Sequence, residues 1–249
     1  MRLRPLVWVI LVVTVAALAV GRGASAGAGW RPHAPARKGA LTLPRVPAAA
    51  EQLLVVSSPT SDPPGDVATF RAYSRSVGGA RWHQTFGPWP AETGIGDLLP
   101  AAVRREGDGA TPIGIFGVGP TIYGNQPNPG GLHSGYHRLG CGDWWDEDPY
   151  TPRYNEFVQV PCGVRPRFAS WSEALWTETV AYPYLAVIQF NTNPTIGGSR
   201  APGSAIFLHS WIGAPTHGCI ALHESELLTV LRWLQPAEHP VIEIAPRAS

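Results

Sequence analysis

Apolar residues fall along this chain in short runs broken by Gly and Pro, not in the long 3.6-residue stripes of a helical protein. Gln52-Leu53-Leu54-Val55-Val56 reads as a first strand. Val67 to Val77 sets Phe70, Ala72 and Tyr73 between Arg71 and Arg75, and predicts a second. Gly78-Gly79 supplies a turn, and Ala80 to Phe86 is expected to return as the paired strand. The turn cluster Gly107 to Pro112 feeds Ile113 to Val118, where glycines alternate with apolar residues. Such a strand either admits a close backbone or ligand or packs as a tight sheet face. Tyr184 to Phe190 and Ala205 to His209 read as buried strands, and Val241 to Ile244 as the last one. Two stretches predict helix. Glu224 to Gln235 carries Leu227, Leu228, Val230, Leu231, Trp233 and Leu234, with Pro236 as its stop. Ser170-Trp171-Ser172-Glu173 has the form of a capping box that opens a short helix through Trp176. Between them and the early strands, Gly119 to Arg167 shows no period and is expected to be a long, irregular insertion, stapled or functional. No internal repeat is present. The fold class is mainly β with one or two short helices.

The first 26 residues change the picture of where the chain works. Arg2 and Arg4 precede an apolar run from Leu6 to Val20, and Ala24-Ser25-Ala26 is a small-residue cleavage site, the arrangement of a secretory signal peptide. Residues 27–50 are rich in Ala, Pro, Arg and Gly and read as a linker. The folded domain is expected over residues 51–249. No later segment is apolar enough to span a membrane. The net charge of +1 gives no field for nucleic acid or an anionic membrane. Abundant Gly and Pro, with 10 Trp, suit loop-rich β architecture rather than a helical bundle.

Export makes the three cysteines informative. Cys141 and Cys162 are close in sequence, both in Gly/Pro-rich contexts, and form the natural disulfide pair in an oxidising compartment. Cys219 is then the odd thiol, a hazard unless it has a chemical role. It follows Thr216-His217-Gly218, and His209 lies ten residues upstream at the end of an apolar stretch. A thiol attacks as thiolate, and a nearby His can take its proton. Gly218 would let the backbone approach a substrate carbonyl, with N–H groups facing a developing oxyanion. The pattern points to a cysteine acyl-transfer enzyme.

Ala205-Ile206-Phe207-Leu208-His209, the run Thr216-His217-Gly218-Cys219 and the following amphipathic helix resemble the L,D-transpeptidase catalytic domain, the YkuD-like family. Gly107-Asp108-Gly109-Ala110-Thr111-Pro112-Ile113-Gly114-Ile115-Phe116 is similar to that family's entering strand. Asp143-Trp144-Trp145-Asp146-Glu147-Asp148-Pro149 and Tyr154-Asn155 resemble a secreted, actinobacterial-type branch. The likeness runs from about Gln52 to Ile244. It implies a β-sandwich and peptidoglycan stem peptides as substrate, with no cofactor and no metal. It also implies a thioester acyl-enzyme, resolved by an amine to a cross-link or by water as a carboxypeptidase. By this resemblance Cys219 is the nucleophile, His209 the base, Gly218 and Cys219 the oxyanion donors, and His217 and Thr216 the family's own residues in the motif. Ser210 could help fix the ring of His209, and Ser210 and Thr216 are the expected substrate-side residues. His217 is the alternative base. The loop Trp211 to Pro215 is shorter than in many members, and Ala221 stands where many carry Asn or Arg. A monomer is expected, in the cell wall or periplasmic space.

Three rivals follow from the same residues. His133, His137 and Cys141 have a spacing that could bind zinc, although the glycines around them argue against a shared helix face. The tryptophans could serve a catalytically silent wall-binding module. A cysteine peptidase of another family would share the Cys/His chemistry.

Overall fold

The structure is a computed structural model and describes residues 45–58, 68–76, 78–79 and 81–246. The expected signal peptide and most of the expected linker lie outside the described residues. The strands, in chain order, are β1 (Gln52–Ser58), β2 (Ala68–Ser74), β3 (His83–Ala91), β4 (Leu98–Pro100), β5 (Thr111–Gly124), β6 (Gly135–Arg138) and β7 (Asp143–Asp146). They continue with β8 (Glu156–Gln159), β9 (Glu173–Ala174), β10 (Leu185–Ile188), β11 (Phe207–Ser210), β12 (Ile220–Leu222) and β13 (Val241–Pro246). One α-helix, α1 (Glu224–Trp233), and three short 3-10 turns complete the described residues.

The main sheet runs β12-β11-β10-β5-β13-β1-β2-β3, with β4 and β6 also on β5. β5 is long enough to serve two half-sheets. Its first part, Gly114 to Gly117, pairs antiparallel with β13, and its second part, Val118 to Tyr123, pairs with β10. The glycines of β5 do admit a close neighbour: a Cβ at Gly117 would stand 2.1 Å from Gln189 Oε1. The halves face each other across one core. Leu54, Val56, Phe70 and Ala72 come from the first half, and Ile122, Ala186, Leu208, Ile220 and Leu222 from the second. α1 adds Leu227, Val230 and Leu231 to the same core. Full burial of such a side chain contributes roughly 1.5–3 kcal/mol. The far ends of the sheet meet where Glu92 pairs antiparallel with Ala221 and Gly94 pairs parallel with Thr216.

A second, smaller layer covers the outer face of β10, β11 and β12. Leu185, Val187, Phe207 and Cys219 point into it from the sheet, and Leu139, Trp145, Leu175 and Tyr182 close over them. β7, β8 and β9 form a separate three-stranded sheet there, in the order β8-β7-β9. Cys141 and Cys162 are disulfide-bonded across 5.3 Å between Cα atoms, at the base of the β7–β8 hairpin. In the chain-entropy picture, closing a loop of this size contributes about 3 kcal/mol.

Most strands fall where the apolar pattern puts them, as does α1. Three expectations are corrected. Residues 119–167 are irregular only in part: β5 runs on to Gly124, and the short strands β6, β7 and β8 stand among loops that the Cys141–Cys162 disulfide staples. Short strands with Trp and Asp on them carry too few alternations to show a period. The Ser170 box opens no α-helix: Glu173-Ala174 is a strand on β7, only a 3-10 turn at Leu175–Thr177 follows without a side-chain cap, and the Ser172 hydroxyl accepts the N–H of Glu147 at 3.0 Å. Pairing with β7 overrides the local capping signal. The third strand runs from His83 to Ala91, beyond the expected end at Phe86. Pro88 and Pro90 disguise it, and they are tolerated because β3 ends the sheet.

Candidate active site

β11 and β12 run parallel, with Leu208 beside Ile220, His209 beside Ala221 and Ser210 beside Leu222. Paired residues share a face, and successive residues alternate between faces. Leu208, Ile220 and Leu222 therefore enter the main core, while Phe207, His209, Cys219 and Ala221 share the outer face. The apolar alternation that builds the strands is thus what sets the thiol and the imidazole on one side.

The turn before β12 is held from within. Thr216 Oγ1 donates to the Cys219 carbonyl at 2.7 Å and accepts the Gly218 N–H at 3.1 Å. Gly218 has φ +125°, and a Cβ there would lie 2.7 Å from the Ala110 carbonyl oxygen. No L side chain fits both demands. Ala110 belongs to the turn cluster before β5, so that cluster is the backing against which the Cys219 loop rests.

Cys219 is 7% exposed. Its Sγ accepts the Phe207 N–H at 3.3 Å and donates to the Ala205 carbonyl at 3.3 Å. Burial pushes the thiol well above its ordinary range, and the charge of Glu173 adds to the shift. Burial also lowers His209 to about 4, against the carbonyls of Ser210 and Ala181 that favour its charged form. His209 Nδ1 donates to the Ser210 carbonyl at 2.8 Å. The proton is placed on Nδ1 because a carbonyl only accepts, which leaves the lone pair on Nε2. In this state the pair is a thiol and a neutral imidazole rather than an ion pair.

The wall over this face is aromatic and acidic. The rings of Trp145 and Tyr182 stand edge-on to Phe207 at 5.0 and 5.7 Å, and Tyr182 stands edge-on to His209 at 5.3 Å. The Tyr182 hydroxyl donates to Glu173 Oε1 at 2.7 Å. Burial raises Glu173 to about 7, and burial with the charge of Glu173 raises Glu147 to about 9. Asn155 ties this wall to the body. Its Oδ1 accepts from Trp145 Nε1 at 2.9 Å and from the Ala205 N–H at 3.0 Å. Its Nδ2 donates to the carbonyls of Phe190 and Asn191 at 2.9 and 2.8 Å. The Ala205 carbonyl that meets Cys219 Sγ belongs to the residue whose amide Asn155 holds.

The other expected site residues fall elsewhere. His217 is exposed on the turn. The Ser210 hydroxyl is buried without a hydrogen-bond partner; its carbonyl, not its side chain, meets the His209 ring. Thr216 is buried within its turn. Of the zinc candidates, Cys141 is in the disulfide and His137 Nε2 bonds Asp143 Oδ2 at 2.9 Å, so the three do not act as a ligand set. Among the described residues no group of three His, Cys, Asp or Glu is arranged to hold a metal, and no helix is long and apolar enough to cross a membrane. Sequence reasoning missed Tyr182, and it took Glu173 for a helix cap. Only the Trp145 and Asn155 motifs hinted at the wall.

No curated protein and no solved structure matches the chain. The family model for the YkuD L,D-transpeptidase catalytic domain matches residues 71–242, which include β5, His209, Cys219 and the start of β13, and the chain belongs to that family.

Proposed function

We propose that this is an exported L,D-transpeptidase of the secreted, actinobacterial-type branch, acting on peptidoglycan stem peptides in the cell wall or periplasmic space. The placement of Cys219 and His209 on one face of adjacent strands carries the reading. Cys219 Sγ attacks the carbonyl of the L-to-D peptide bond as His209 Nε2 takes the thiol proton. The C–N bond then breaks, His209 returns that proton to the departing D-amino acid amine, and a thioester remains. An amine of a neighbouring stem attacks the thioester, gives a proton to His209, and the sulfur leaves as the cross-link forms. Water in place of the amine gives carboxypeptidase activity. The Gly218 amide is committed to Thr216, so the Cys219 amide serves as the first oxyanion donor, with Gly218 joining if the turn relaxes. Thr216 shapes the turn, and the Ser210 carbonyl sets the tautomer of His209. The disulfide supports export, and the reading takes the protein as a monomer. A silent wall-binding module needs neither a buried thiol nor an oriented imidazole beside it.

Intact mass after incubation with a carbapenem and with a tetrapeptide stem tests the proposal, comparing wild type with Cys219→Ala. Adducts on wild type alone are expected. A folded wild type that takes up neither acyl group overturns the proposal.

A further inference from the structure

A cleft of about 270 Å³ opens beside the proposed catalytic pair, lined by Pro90, Ala91, Glu92, Trp211, Ala221 and His223. Register fixes its position. Ala221 is the strand partner of His209. On its other side Ala221 exchanges both main-chain hydrogen bonds with Glu92, at 2.9 and 3.0 Å. Directly opposed antiparallel residues share a face. The Glu92 side chain therefore stands on the face that carries His209 and Cys219, two strand spacings from His209, or about 10 Å. Trp211 and His223 complete the lining of the cleft, with their rings edge-on at 4.8 Å.

The walls are chemically one-sided. Pro90, Ala91, Ala221 and the Trp211 ring are apolar, and Ala221 is small enough to leave the space open. Among the described residues the Glu92 carboxylate makes no hydrogen bond or ion pair with another side chain, and burial alone raises its pKa. The one other ionisable wall, His223, has its ring against Trp211. A carboxylate in the wall of an apolar slot suits an ammonium on an aliphatic stem. It repels a second carboxylate, and a half-buried charge without a partner costs free energy that a ligand cation can offset.

Resting on the acyl-transfer reading above, we propose that Glu92 and the cleft over Ala221 select the acyl donor. The attacked residue would carry an aliphatic side chain ending in an ammonium, with no free carboxylate beside it. With its carbonyl at Cys219, such a side chain extends across His209 and Ala221 to Glu92. Glu92 is thus a specificity residue that touches substrate away from the reacting atoms.

The test uses the domain with three tetrapeptides that differ only at the attacked residue. One has a lysine-type ammonium, one the same amine acetylated, and one an added carboxylate next to the ammonium. Thioester formation is followed by mass and by kcat/KM. Wild type should acylate on the ammonium peptide at least tenfold faster than on either other peptide. Glu92→Gln should bring the ammonium and acetylated peptides within about twofold of each other, with the change in KM rather than kcat. Equal rates on all three with wild type overturn the proposal without any variant. So does a preference that survives in Glu92→Gln. If the carbapenem labels Cys219 and the peptides do not discriminate, this inference alone fails. If nothing acylates Cys219, the acyl-transfer reading falls and takes the inference with it.

Discussion

The two faces of β11 and β12 make an instructive pair. The inner face, with Leu208, Ile220 and Leu222, packs apolar atoms on apolar atoms and leaves only the Ser210 hydroxyl unmatched. The outer face, one residue out of step, is equally covered, yet it encloses a thiol, an imidazole, a phenol and the carboxyls of Glu173 and Glu147. The same backbone holds both. Burial on the inner face contributes stability; burial on the outer face shifts protons, and each shift costs free energy that the inner face and the insertion must offset.

The sharpest break between the faces is a pair of substitutions. His209→Ala should lower acylation by a carbapenem by about a thousandfold or more, in line with loss of a positioned base, with the fold retained by circular dichroism. Leu208→Ala, its neighbour, should cost about 2–5 kcal/mol of stability, read by urea unfolding, while the surviving folded fraction still acylates. Equal effects of the two on stability and on chemistry would erase the distinction between the faces.

Asn155→Ala tests how the outer face is held. It strands Trp145 Nε1, the Ala205 amide and two carbonyls, and should cost about 2–4 kcal/mol at roughly 1 kcal/mol per lost bond. It should also speed alkylation of Cys219 by iodoacetamide.

Acidity sharpens the comparison further. The folded pKa of His209 is lowered, so its share of stability is complete above about pH 6.5 and is lost as pH falls through about 4. The acid limb of carbapenem acylation should correspondingly sit near pH 4 and not near 6.5. Glu147 shows the opposite sign. Its raised pKa gives stability that is complete below about 4.5 and is lost as pH rises through about 9. Glu147→Gln should therefore raise Tm by a few degrees more at pH 9 than at pH 5. An equal shift at both values would show that the carboxyl is not strained by burial.

The inner face was open to reading from the sequence, because alternation and the α1 stripe repeat often enough to show a period. Of the outer face, the sequence showed Cys219, His209 and Gly218 through residue type and spacing, and the disulfide through cysteine count. Tyr182 and Glu173 were hidden for a physical reason. Their roles depend on β9 pairing with β7 and on Tyr182 lying against β11, contacts that no local pattern encodes. Thr216 looked like a substrate residue because it precedes the nucleophile, yet its hydroxyl is spent inside the turn. Ala221 was noticed as a missing polar group; that it floors a cleft with Glu92 across from it needs the closure of the sheet.

That closure also bears on how copies of the chain meet one another. Open sheet borders invite intermolecular strand addition and, in time, aggregation. One border here is β3, where Pro88 and Pro90 present no amide hydrogens to an incoming strand. A second is β12, whose outward amide and carbonyl at Ala221 are already taken by Glu92. The contact that floors the cleft therefore also denies a neighbouring molecule its foothold at the β12 border.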